Sequence, residues 1–154
     1  MADTRIPRDF KDCKDFGKVA PFPINEDTIR NELKQVDYDL ATAKKLFTDG
    51  NYKWATTAAY YSMFLSARTA LLSRGYRDKK HNSHLCLSHF LGRLVDLGYL
   101  KKAYSNDFQL AMDMRERANY SGAYSREDAE KAISYAEDFK KQMEAVIDLK
   151  GMKI

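Results

Sequence analysis

From Asn25 onward the apolar positions recur at helical spacing. Ile29, Leu33, Val36, Leu40, Ala43 and Phe47 step by four and three, which makes one face of an amphipathic helix. Asn25 suits its N-cap, and Glu26 and Asp27 suit the positive end of its dipole. A second helix follows the Asp49-Gly50 stop, from about Tyr52 to Arg74. Between Trp54 and Ala67 it carries no charge on any face, the mark of a central, buried helix. Ala55, Ala58, Ala59, Ser62 and Ser66 give it a small-residue stripe that lets neighbours approach closely. A third helix is predicted from about Asn82 to Leu97 and a fourth from Lys102 or Ser105 to Tyr120. The fifth opens at the capping-box pattern Ser125-Arg126-Glu127-Asp128 and carries Ala129, Ala132, Ile133, Ala136, Met143 and Ile147 on one face.

Glycine and proline punctuate the same plan. Pro7, Pro21 and Pro23 all precede the first helix, and no proline follows. Gly50, Gly75, Gly98, Gly122 and Gly151 recur at nearly even intervals, each where a helix is expected to end. No strand alternation or hairpin signal is visible. The pattern predicts an all-α, up-and-down bundle of about five helices over residues 25–150, preceded by an irregular arm at residues 1–24.

Composition narrows the class. The 154 residues suit one domain, with 44% hydrophobic and 31% charged residues. Lys plus Arg is 26 against 22 acidic residues, a net charge of +4, which excludes a polycation but allows a local basic patch. The charged opening segment leaves no room for a signal peptide, and the run from Trp54 to Ala67 is shorter than the roughly 18 residues of a membrane span. Cys13 and Cys86 lack Cys-x-x-Cys spacing and read as two reduced thiols. These features point to a soluble, cytoplasmic protein.

No glycine-rich phosphate loop or nucleophile elbow is present, so no cofactor is expected. His81, His84 and His89 cluster at the start of the third predicted helix, but no carboxylate shares their turns, and no metal site is predicted. Arg74, Arg77, Lys79 and Lys80 surround Tyr76 in the link before that helix, either as a solvated loop or as contacts to a phosphate backbone. Arg68 is the one charge between Lys53 and Arg74. It must reach the bundle edge or meet a carboxylate. Phe108, Ala111, Arg115 and Ala118 share a stripe, with Asn119 one turn beyond Arg115. Arg115 therefore either satisfies a buried carboxylate or lines a polar cleft, where its fork suits phosphate oxygens. Tyr120 ends the helix and can turn its hydroxyl toward the same cleft.

Two of these segments resemble the HEPN family, the higher eukaryotes and prokaryotes nucleotide-binding domain. The run from Asp49-Gly50-Asn51-Tyr52 through Ala58-Ala59-Tyr60-Tyr61-Ser62-Met63-Phe64 to Leu72 is similar to the family's second helix. Arg115-x-x-Ala118-Asn119-Tyr120 resembles its arginine motif, in a branch ending Asp-Tyr or Asn-Tyr. The resemblance implies a helical bundle that forms a homodimer, with two arginine motifs facing a shared cleft. It implies nucleotide or RNA binding at Arg115, Asn119 and Tyr120, to which the charge pattern adds Arg68, Lys79 and Lys80 as candidate contacts. It also implies a nucleotidyltransferase partner in a toxin–antitoxin-like pair. The alternative it implies is an active, metal-independent endoribonuclease with Arg115 and Tyr120 as the catalytic pair. In nuclease members a histidine stands where this chain has Tyr120, and a tyrosine serves as base only where nearby cations lower its pKa. A third alternative is a structural or interaction module, with Arg115 in a buried ion pair.

Overall fold

The computed structural model describes residues 3–79 and 83–154. Six α-helices appear there: α1 (Phe10–Asp15), α2 (Glu26–Thr48), α3 (Tyr52–Ser73), α4 (Ser83–Asp96), α5 (Lys102–Glu116) and α6 (Arg126–Asp148). A π-helical turn, Arg117–Ser121, extends α5. The architecture is the all-α bundle that the hydrophobic pattern predicts, with α2 to α6 as its body. The caps form as read: the Asn25 side chain accepts from the Thr28 amide at 3.0 Å, and the Ser125 hydroxyl accepts from the Asp128 amide at 3.0 Å.

The uncharged helix α3 runs through the centre, flanked by α2 and α6. Its small side chains Ala55, Ala59, Ala67 and Ala70 are fully buried. The core around it is aromatic. Phe108 of α5 packs 5.6 Å from Phe139 of α6 and 5.6 Å from Tyr60 of α3, ring centre to ring centre. Phe139 and Val146 are buried although neither belongs to the stripe predicted for the last helix.

Three expectations are corrected. The arm is not irregular throughout. It contains α1 and strand β1 (Val19–Pro21), which pairs antiparallel with β2 (Tyr76–Asp78) in the register Val19 to Asp78 and Pro21 to Tyr76. Neither strand showed in the sequence, because three residues are too few for alternation to register. The cysteines are not free thiols either: Cys13 and Cys86 form a disulfide, with 5.9 Å between their Cα atoms. The partners are 73 residues apart and meet because α1 packs on α4, with Phe10 set against Phe90 and Tyr76. No local spacing could announce that contact.

Closing a loop of this length restricts the unfolded chain. Replacing both Cys13 and Cys86 by serine is expected to cost roughly 3–5 kcal/mol in urea unfolding, and a thiol assay in denaturant without reductant should find no free cysteine.

Candidate functional site

Arg115 projects from the last turn of α5, where Ala111, Met114 and Ala118 anchor the helix in the core. Its guanidinium carbon lies 5.2 Å from the ring centre of Tyr60 and 5.6 Å from that of Tyr61, both on α3. Nη1 donates to the Tyr61 hydroxyl at 3.3 Å. Nε is buried and has no acceptor, and Arg115 forms no ion pair among the described residues. Of the two roles open to it from sequence, the buried carboxylate is therefore absent among these residues. What remains is a half-buried cation with a spare donor, suited to an anionic oxygen.

Asn119 sits on the π turn, and its Nδ2 donates to Thr57 Oγ1 at 3.2 Å. Thr57 in turn donates to the Lys53 carbonyl at 3.1 Å, so α3 fixes the Asn119 amide beside Arg115. Tyr120 goes elsewhere. It is 82% exposed and makes no hydrogen bond to any described residue. The backbone explains this. The Gly122 amide bonds back to the Arg117 carbonyl, five residues earlier, and this wider turn breaks the 3.6-residue phase on which Tyr120 was expected to face the cleft. Gly122 closes the turn at φ +65°, a conformation glycine takes without strain.

Arg68 meets a carboxylate. Asp78 of β2 accepts from its Nε at 3.0 Å and its Nη2 at 2.9 Å, a bidentate pair with the Asp78 side chain almost wholly buried. Arg68 also covers the Phe64 ring at 4.7 Å. Lys79 is exposed, with its amide bonded to the Lys18 carbonyl. Lys80 and His81 lie outside the described residues.

Sequence reasoning missed the wall that joins these cations. Thr57, Tyr61, Phe64 and Arg68 step by four, three and four along α3 and line a groove of about 510 Å³ with Trp54, which is 49% exposed. That stepping was available in the sequence but was absorbed into the reading of a helix apolar on all faces. His84 of α4 completes the wall. Its ring stacks on Tyr60 at 5.6 Å and packs against Phe64 at 4.5 Å, and its Nδ1 is hydrogen-bonded to the Tyr60 hydroxyl. Burial lowers the His84 pKa below that of a free imidazole, and Arg115 adds to the effect. Burial likewise holds the Tyr60 hydroxyl far above its ordinary pKa, so it stays protonated. No group of His, Cys, Asp and Glu with metal-binding geometry occurs among the described residues, and no helix there is long and apolar enough to cross a membrane.

A helical bundle whose α5 ends in an arginine that faces the central helix and forms no ion pair among the described residues defines a class. The HEPN domain family model matches residues 30–146, and the chain belongs to that family. A protein of Methanocaldococcus jannaschii named "Putative toxin MJ0605" is 31% identical over 121 residues, which cover 75% of this chain and 88% of that protein. The UPF0332 protein PH1297 of Pyrococcus horikoshii is 27% identical over 77 residues, 50% of this chain and 53% of its own length.

A lowered histidine pKa has a signed consequence. Near pH 6.5 the unfolded chain holds a proton that folded His84 resists. Its contribution therefore weakens the fold as pH falls through about 6.5, levels off below the lowered folded value, and vanishes at alkaline pH. Thermal melts from about pH 8 to about pH 5 should show a shallower acid limb for His84→Gln than for wild type.

Proposed function

We propose that this protein is a HEPN toxin-type protein that takes nucleotide or RNA phosphate at Arg115. In this reading it acts as a homodimer whose two arginine clefts face each other, and it is paired with a nucleotidyltransferase-type antitoxin. The observation that carries the binding half is the half-buried Arg115 guanidinium, which forms no ion pair among the described residues. The outer guanidinium nitrogens, held against two tyrosine rings, suit a phosphate oxygen, and the exposed parts of Tyr61 and Trp54 along the same helix offer stacking surfaces for bases. Asn119, fixed by Thr57, adds a polar group at the same edge. The name of the Methanocaldococcus jannaschii relative supports the toxin half. The nucleotidyltransferase partner and the dimer rest on the family resemblance.

A second reading, an active endoribonuclease that needs no metal, is favoured by one specific observation: a histidine whose pKa is lowered stands on the same wall as Arg115. Arg115 would then hold the scissile phosphate and stabilise the charge that builds on it.

Fluorescence anisotropy with a labelled single-stranded RNA tests the binding reading. Arg115→Ala should weaken binding roughly 10- to 100-fold, through loss of its charge-assisted hydrogen bonds. Its stability should fall by only about 1 kcal/mol, because the cation–π interaction goes but no carboxylate is stranded. Unchanged affinity would remove Arg115 from the site. Separately, Lys79→Gln with Lys80→Gln should lower the slope of log affinity against log salt by about 0.7 for each phosphate no longer neutralised, and an unaltered slope would leave that link a solvated loop.

A further inference from the structure

We infer that His84, packed against Tyr60 and Phe64 and sharing the Tyr60 ring with Arg115, is the proton acceptor of this site and takes the 2′-hydroxyl proton of a bound RNA strand. The inference rests on the RNA reading above and assigns the residue that would make the site catalytic. It comes from placement. Tyr60 carries the Arg115 guanidinium 5.2 Å from its ring centre and the His84 imidazole 5.6 Å from it in a near-parallel stack. One buried ring thus contacts both the cation and the imidazole. Phe64 holds the imidazole from another side at 4.5 Å, so its plane is fixed. Nδ1 is engaged by the Tyr60 hydroxyl, while Nε2 makes no hydrogen bond to any described residue and the ring is partly exposed. With Nδ1–H donating to the Tyr60 oxygen, Nε2 presents a lone pair.

The charged and titratable groups facing His84 are Tyr60 and Arg68 of α3, Arg115 and Glu116 of α5, and Asp78 of β2. Burial and the two arginines favour the neutral ring over the pull of Glu116 and Asp78, which keeps the base unprotonated at neutral pH. Arg68 is already neutralised by Asp78, which leaves Arg115 as the wall's cation for the phosphate. The step balances without a co-reactant. Nε2 removes the 2′-hydroxyl proton, O2′ bonds to phosphorus, and the P–O5′ bond breaks. A 2′,3′-cyclic phosphate and a 5′-hydroxyl result. The leaving oxygen takes a proton from water, and the imidazolium returns its own to solvent. Tyr60 is a positioning residue that supports the imidazolium through Nδ1.

The test is cleavage of an end-labelled RNA in EDTA by wild type, His84→Gln, Tyr60→Phe, Tyr120→Phe and Arg115→Ala, beside RNA affinity for each. Wild type should release cyclic-phosphate ends. His84→Gln should lose about 10²- to 10⁴-fold in rate with RNA affinity within about threefold of wild type. Tyr60→Phe should move the acid limb of the pH–rate profile, which a purely structural role would not do. Cleavage by His84→Gln at the wild-type rate overturns the inference, as does loss in Tyr120→Phe with His84→Gln intact, or no cleavage by folded wild type. In those cases a weakened Arg115→Ala leaves the binding reading standing, whereas Arg115→Ala that binds like wild type removes the reading itself. If His84→Gln does not fold, imidazole nitrogen NMR of wild type decides. A 2′-O-methyl RNA, which cannot be cleaved, must shift the His84 Nε2 resonance, and an unmoved resonance overturns the inference.

Discussion

The fold depends on the absence of charge along one helix. From Trp54 to Ala67, α3 has no side chain that demands water, so it takes the centre and the others arrange around it. Most of its buried polar groups are satisfied, with Ser66 Oγ left without a partner among the described residues. Thr56 donates to the Tyr52 carbonyl at 2.8 Å, Thr69 to the Leu65 carbonyl at 2.7 Å, and Ser62 reaches across to the Val36 carbonyl of α2 at 3.0 Å. The alanines between them give α2 and α6 room to approach. The candidate site is a by-product of this burial, because Tyr60 and Tyr61 are where the central helix meets the end of α5 and the start of α4.

Two arginines on one wall have opposite fates, and the difference decides what the wall can do. Arg68 is locked to Asp78, whose buried carboxylate would be costly to leave alone. It serves as a strut between α3 and the small sheet. Arg115 rests on aromatic faces, which steady a cation without neutralising it. Arg115 and Arg68 stand at the two ends of a series in which Tyr60, His84 and Phe64 pack between them, and the rings open to solvent on this side are those of Tyr61 and Trp54.

The long helices were legible because each carries its own period, cap and stop. What escaped was nonlocal or too short to show a period. The Cys13–Cys86 bridge depends on α1 folding back onto α4. The paired strands are three residues each. Of the site, Arg115 could be found because α-helical phase holds up to Glu116, and Asn119 because the π turn still leaves it against Thr57. Tyr120 was misplaced because the π turn begins just there. His84 was visible only as one of three helix-start histidines, since its partners Tyr60 and Phe64 lie on another helix and its place beside Arg115 is set by tertiary packing.

The disulfide also changes how the chain carries load. Cys86 lies on α4, two residues past His84, and its partner Cys13 lies in the arm. A pull applied ahead of Phe10 would therefore travel through sulfur into α4 and bypass α2 and α3. The arm works as a lever whose fulcrum is the buried contact of Phe10 with Phe90, and its short end is joined to α4 at Cys86. Tension on it would be felt first in α4, ahead of α2 and α3.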